Sequence, residues 1–191
     1  DRVQAKIVGW DGYDDVALLK VDPAAHHLVT VPLGDSSRVR PGDPVAALGS
    51  PFGNEDSITV GVVSAVHRSI NSLTSTYKVV DAIQTDAPIT HGNSGGPLFD
   101  ARGRVIGINA QIRSESGGAE GVGFAVPINA AKRSMGQLIA TGQVVYAFLG
   151  VTTEDLTPTL ARHLGYSVSR GAMVGEVRGG SPADHAGLEG G

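Results

Sequence analysis

The 191-residue chain contains no cysteine. That excludes a disulfide framework, a thiolate zinc site and a cysteine nucleophile, so Ser, Asp and His must supply any nucleophilic chemistry. Aromatic residues make up only 5% of the chain, whereas glycine occurs 27 times. That balance fits many short strands joined by tight turns better than a helical bundle. Long apolar runs are also lacking: stretches such as Val16 to Leu19 are far too short to span a bilayer. Asp1 does not open a signal peptide, which leaves a cytoplasmic protein or a chain that begins downstream of its targeting segment. Nor is there a run of charge. The 15 basic and 19 acidic residues give a formal charge of -4, and no cluster of Lys and Arg suggests a nucleic-acid partner. What remains is an ordinary soluble globular composition, 41% hydrophobic and 18% charged, with room for one domain or two. No residue pattern calls for a cofactor or a metal.

In Val3 to Ile7 apolar and polar residues alternate, the period of a half-buried strand, and Gly9 to Asp15 reads as a turn. Val16 to Val21 is nearly continuous apolar, as for a strand buried on both faces, and Asp22-Pro23 ends it. Pro41-Gly42-Asp43 turns into a short strand, Val45 to Leu48. Ile58, Val60, Val62, Ser64 and Val66 would share one face of a long strand. Val79 to Thr85, Gly96 to Phe99, Val105 to Ala110 and Gly121 to Val126 continue the series, with Asp100 to Gly103 as a hairpin turn. Strands at such regular spacing predict an all-β barrel or sandwich.

A helix follows, with Asn129 placed to cap it, an apolar stripe of Ala131, Met135, Leu138 and Ile139, and Gly142 at its C-terminal cap. From Phe148 the character changes: a short helix at Thr157-Pro158 to Leu164, a strand near Ala172 to Val177, and a capping signature at Ser181-Pro182-Ala183-Asp184. The expected division is residues 1–143 and 147–191, the second a small α+β unit.

Gly92-Asn93-Ser94-Gly95-Gly96-Pro97 carries the chemistry. Flanking glycines reach backbone conformations closed to other residues, so that one hydroxyl is exposed while neighbouring amides converge. Converging amides from Gly92, Asn93 and Ser94 make an oxyanion hole, in which one donor is worth roughly 3 kcal/mol of barrier when Ser94 attacks a carbonyl. The same pattern occurs in the nucleophile elbow of α/β-hydrolases, which needs a helix directly after the serine. Here a hairpin turn and a strand follow instead, so a barrel is the better setting.

In that setting the loop resembles the nucleophile loop of trypsin-like proteases, and Asp81 to Ile89 before it resembles the HtrA branch. Asp15 to Val21 is similar to the aspartate segment of that branch, Leu48 to Gly53 to its inter-barrel turn, and Gly121 to Pro127 to its late strand. Asn93 replaces the aspartate of digestive trypsins, as in HtrA proteases, so activation by zymogen cleavage is not implied. The resemblance implies a mainly β fold: a double β-barrel of trypsin type, its first barrel incomplete, followed by part of a PDZ domain.

It also implies a serine endopeptidase acting on unfolded proteins or peptides, with Ser94 as nucleophile and Asp15 as triad acid. The histidine of this family lies upstream of the aspartate, yet none of the fourteen residues before Asp15 is histidine. Loss of a triad member leaves the 191 residues nearly inert, down by ~10⁶. Among the six histidines present, His91 reads as cleft-lining or solvent-facing. His26, His27 and His67, which ends a strand, read as surface residues. His163 and His185 would matter only in an α/β-hydrolase order with Asp155 or Asp184. By resemblance Ile89, Asn109, Ala110 and Gln111 line the specificity pocket, which would favour small or medium aliphatic residues before the scissile bond. The stretch Arg113 to Gly118 is expected to be mobile. Phe148-Leu149-Gly150-Val151 resembles a PDZ carboxylate loop, and Ser181 to Leu188 matches a PDZ segment, so peptide C-termini are the implied ligand there. A homotrimer in a bacterial envelope compartment is implied for the full protein. The competing expectation is a proteolytically silent module that holds unfolded chains.

Overall fold

Alternating apolar positions produce the strands here, and one barrel gathers most of them. The computed structural model describes residues 3–24, 28–50, 57–71, 78–90, 92–110 and 122–191. It divides into two compact units, Asp1–Val144 and Val145–Gly191.

In the first unit β1 (Ala5–Asp11) pairs antiparallel with β2 (Val16–Val21). Six further strands close a barrel: β3 (Pro44–Gly49), β4 (Ser57–Asn71), β5 (Lys78–Thr85), β6 (Pro97–Asp100), β7 (Val105–Ala110) and β8 (Gly123–Pro127). Their order round the barrel is β3-β4-β5-β8-β7-β6, and β6 pairs back onto β3. Closure leaves no free sheet edge. Val45, Ala47, Val63, Ile83, Leu98 and Ile106 fill the interior, each full burial contributing roughly 1.5–3 kcal/mol for the larger side chains. The Asp100 to Gly103 turn forms as expected, with Gly103 at φ +70 and its amide donating to the Asp100 carbonyl.

Helix α1 (Ile128–Thr141) follows β8 and packs against β1 and β2. A second apolar cluster joins them: Val16, Val105, Val126, Ile128 and Ala131. The approach is close at Gly9, where a side-chain carbon would lie 2.8 Å from Leu138 Cδ2 and 2.9 Å from the Gly142 carbonyl oxygen. Gly142 ends the helix in the left-handed conformation, as expected.

Several expectations need correction. β1 runs on to Asp11, into the stretch Gly9 to Asp15 read as a turn. The helix is capped by Pro127, with no side-chain hydrogen bond; Asn129 instead donates from Nδ2 to Asp35 Oδ1 (2.8 Å), and its amide donates to Ser36 Oγ. The buried face of α1 contains Ser134 and leaves Ile139 exposed, because that face meets a carboxylate of β1. β2 is not buried on both faces: Leu19 is 54% exposed, since among the described residues β2 pairs only with β1. Finally, His67 does not end a strand. It sits inside β4 at a register shift, at φ +57, and its ring nitrogen Nδ1 contacts Asp81 Oδ1. An earlier register shift, between Val63 and Ala65, splits β4's faces: Ile58, Val60 and Val62 share the exposed one, whereas Val66 packs against the core.

The second unit contains β9 (Val151–Leu156) paired antiparallel with β10 (Gly171–Val177), and helices α2 (Pro158–Leu164) and α3 (Pro182–His185). Thr157 and Ser181 cap the two helices through their hydroxyls, each followed by proline at the first helical turn.

Candidate active site

No helix follows Ser94. The turn Gly92–Gly96 runs straight into β6, so the geometry of an α/β-hydrolase elbow is absent.

Two strands build the floor under this turn. Ser50 donates its amide to the Gly92 carbonyl at 3.0 Å, just after β3 ends. A side-chain carbon on Gly96 would lie 2.1 Å from the Leu48 carbonyl oxygen, so only glycine lets the turn settle on β3. From β7, Asn109 clamps the other side: its amide donates to the Gly96 carbonyl and its carbonyl accepts from Gly95, both at 2.8 Å. The Asn109 side chain donates to the carbonyls of Leu48 and Pro97 at 3.3 and 3.2 Å. Upstream, Asp86 Oδ1 accepts from the Val62 amide, and the Thr85 hydroxyl donates to the Val62 carbonyl, tying the approach segment to β4. Asn93 reaches back to the Pro88 carbonyl at 3.3 Å.

Within the turn the amide donors divide in two. Those of Asn93, Gly95 and Gly96 donate to the carbonyls of Thr90, Asn109 and Asn93. Among the described residues the amides of Gly92 and Ser94 have no such acceptor. Gly92 at φ +101 and Gly95 at φ +82 bracket the serine in conformations that favour glycine. Asn93 and Asn109 are each 1% exposed, and each leaves its side-chain carbonyl oxygen without a donor among the described residues. Such unsatisfied groups are uncommon in cores and concentrate where geometry outranks stability.

The serine is exposed, and it lines a cleft of about 520 Å³. Asp15 lines the same cleft from the turn before β2, together with Gly95, Asn109 and Ala110. The structure therefore brings together Asp15, Ser94, Asn109 and Ala110 from segments far apart in the chain. Ile89 lies elsewhere, in the barrel core at 6% exposure, where a carbon on Gly123 would meet its Cγ1 at 2.4 Å. Gln111, His91, His26, His27, residues 113–118 and the turn beyond Ser50 lie outside the described residues. His163 and His185 are exposed in the second unit.

In that unit Phe148 and Leu149 are exposed and Gly150 is buried at φ +84. The carbonyls of Leu149 and Gly150 accept from Ala183 and Arg178, and the Arg178 guanidinium lies 5.9 Å from the Phe148 ring centre. Sequence reasoning missed Asp11, Asp14, Arg133 and Ser134, the groups that tie the Asp15 turn to α1; no local pattern marks them.

Comparison with known proteins adds three findings. Residues 1–108 match the family profile described as a trypsin-like peptidase domain. Proteins named probable periplasmic serine endoprotease DegP-like, from Hahella chejuensis and from Pseudomonas putida, are each 46% identical over 188 residues. Those alignments cover 98% of this chain and 39% and 38% of the relatives, so the chain spans well under half their length. Among solved structures, an HtrA-type protease, AlgW with tripeptide, superposes with a TM-score of 0.80 at 44% identity, covering 98% of this chain and 60% of that one. AlgW with decapeptide gives 0.75 at 43% identity, covering 98% and 56%.

Proposed function

The chain belongs to the trypsin-like peptidase family, in its HtrA branch, and on that premise we propose that it carries the nucleophile, the acid and the oxyanion hole of a serine endopeptidase. One observation carries this reading. Among the described residues the turn amides without a backbone acceptor are those of Gly92 and Ser94, the latter the exposed serine whose cleft Asp15 also lines.

In this reading Ser94 Oγ attacks the carbonyl carbon of a peptide bond, and its proton passes to a histidine oriented by Asp15. The negative oxygen then lies against the Gly92 and Ser94 amides. The histidine returns the proton to the departing amine as the C–N bond breaks, and water hydrolyses the acyl-enzyme by the same steps reversed in role.

Asn109 and Ala110 on the cleft wall support a preference for small or medium aliphatic residues before the scissile bond. Cleavage of a peptide library tests this, and a dominant Arg or Lys preference rejects it. Unfolded protein is the proposed substrate class and a homotrimer the proposed state of the full-length protein; an extracytoplasmic compartment is in line with the periplasmic names of the relatives. The second unit, residues 147–191, is proposed to be the first part of a PDZ domain, with Phe148-Leu149-Gly150-Val151 facing a peptide C-terminus.

A second reading is a module that holds unfolded chains without cutting them. Casein cleavage and fluorophosphonate labelling of the full-length protein and its Ser94→Ala variant separate the two. Cleavage and labelling that disappear in the variant support the protease; equal behaviour of both proteins rejects it.

A further inference from the structure

Two neighbouring side chains of α1 end on the turn that presents Asp15. Arg133 Nη2 donates to Asp14 Oδ2 at 2.7 Å, and Ser134 Oγ donates to Asp11 Oδ2 at 2.6 Å. Asp11 and Asp14 are both buried, and Ser134 is completely so. The other oxygen of Asp11 accepts from the amides of Tyr13 (2.9 Å) and Asp14 (3.2 Å), which closes the turn on itself. Asp15 follows at φ +52, a sparsely populated conformation for a residue with a side chain. Such a conformation persists where its surroundings over-determine it. Here the determinants come from α1, 119 and 123 residues away.

Resting on the protease reading above, we propose that Arg133 and Ser134 are positioning residues for the reaction. Through Asp14 and Asp11 they fix the backbone of Asp15, and hence its carboxylate, at the cleft shared with Ser94. The size of the two possible effects favours a geometric role over a stabilising one. An ion pair whose guanidinium is 57% exposed contributes only about 0–1 kcal/mol to stability. A displacement of about 1 Å in a catalytic constellation costs roughly 100-fold in rate.

The test uses the full-length protein and an unstructured peptide substrate, with active sites counted by fluorophosphonate titration. Arg133→Gln should lower kcat about 10- to 100-fold with KM within about twofold, and Arg133→Lys should recover part of the loss. The acidic limb of the kcat/KM profile supplies a readout that loss of stability would not move. A displaced Asp15 supports the imidazolium less, so the limb moves to lower pH. Simple removal of the positive charge of Arg133 would move it to higher pH. Since His67 and Asp81 line the same surface depression as Arg133 and Asp14, Ser134→Ala serves as the uncharged second variant. It should move kcat and the limb in the same directions, and it decides the matter should Arg133→Gln not fold. Arg104→Gln, which breaks the ion pair to Asp100 in the β6–β7 turn, should lower the Tm and leave kcat unchanged. Wild-type kcat and an unmoved limb in Arg133→Gln and Ser134→Ala would overturn the proposal. Activity that survives Ser94→Ala would instead overturn the protease reading beneath it.

Discussion

Gly49 lies directly against Asn93: a carbon added to Gly49 would sit 2.4 Å from Asn93 Oδ1 and 2.5 Å from its Cα. The end of β3 therefore sets the height of the turn that carries Ser94, one residue before it. Because the second of these atoms is backbone, a rotamer change cannot relieve the contact. Gly49→Ala should destabilise the first unit by about 1–3 kcal/mol and lower kcat more than it raises KM. Urea unfolding and steady-state kinetics of the full-length variant measure both, and wild-type values in the two would show that the turn does not rest on β3.

Asp15 lines the cleft beside Ser94 without being buried. In the full-length protein Asp15→Asn should reduce kcat by about 10⁴-fold while leaving the fold intact, because the base loses its orientation and its counter-charge. The isolated 191-residue chain should hydrolyse casein at ~10⁻⁶ of the full-length rate. A robust, Ser94-dependent rate from that isolated chain would show that the base lies within the 191 residues.

Asp35 gives the first unit an acid-sensitive point. Hydrogen bonds from the Asn129 side chain, the Ser37 hydroxyl and the Ser37 amide hold its carboxyl down to about 2. The folded form thus binds its proton less readily than the unfolded chain, whose carboxyl titrates near an ordinary 3.8. Its contribution to stability is complete above the unfolded value and is lost as pH falls through the folded one. Urea midpoints measured from pH 5 down to pH 2 should fall less steeply for Asp35→Asn than for the wild type. Parallel slopes would remove Asp35 from the acid response.

In the second unit Ser181 accepts from the Asp184 amide at 3.2 Å and is buried against Gly150, where an added carbon would lie 2.2 Å from Ser181 Cβ. Ser181→Ala keeps that packing and removes the cap together with the long hydrogen bond from the hydroxyl to the Gly150 carbonyl (3.4 Å). It should cost about 1 kcal/mol, seen as roughly fivefold faster hydrogen exchange of the β9 and β10 amides. Exchange confined to wild-type rates would mean that α3 is held without its cap.

The elements that could be read from the sequence are those made by neighbours. β7 spans Val105–Ala110 as its pattern indicates, α2 begins after Thr157-Pro158, and Gly103 and Gly142 take the positive φ that their turns require. In each the determining atoms lie within a few residues, so the pattern carries the answer. Asn129 shows where that fails. A cap in the local pattern, it is drawn instead to Asp35 and Ser36, 94 and 93 residues away. Leu19 fails differently: apolar composition describes a strand but not how many partners cover it.

The same division runs through the site. The sequence by itself determined the turn around Ser94, since Gly92-Asn93-Ser94-Gly95-Gly96 encodes its own backbone shape and, among the described residues, leaves the Gly92 and Ser94 amides without a backbone acceptor. It also marked Asp15, through the contiguous segment that follows it. Only the tertiary structure decided that Asn109 clamps the turn, that Ile89 faces the barrel core, and that Asp11 and Asp14 are anchored by Ser134 and Arg133. Those contacts join segments brought together by barrel closure and by the docking of α1. A hydrogen bond across 119 or 123 residues leaves no period, spacing or composition in the chain that could announce it.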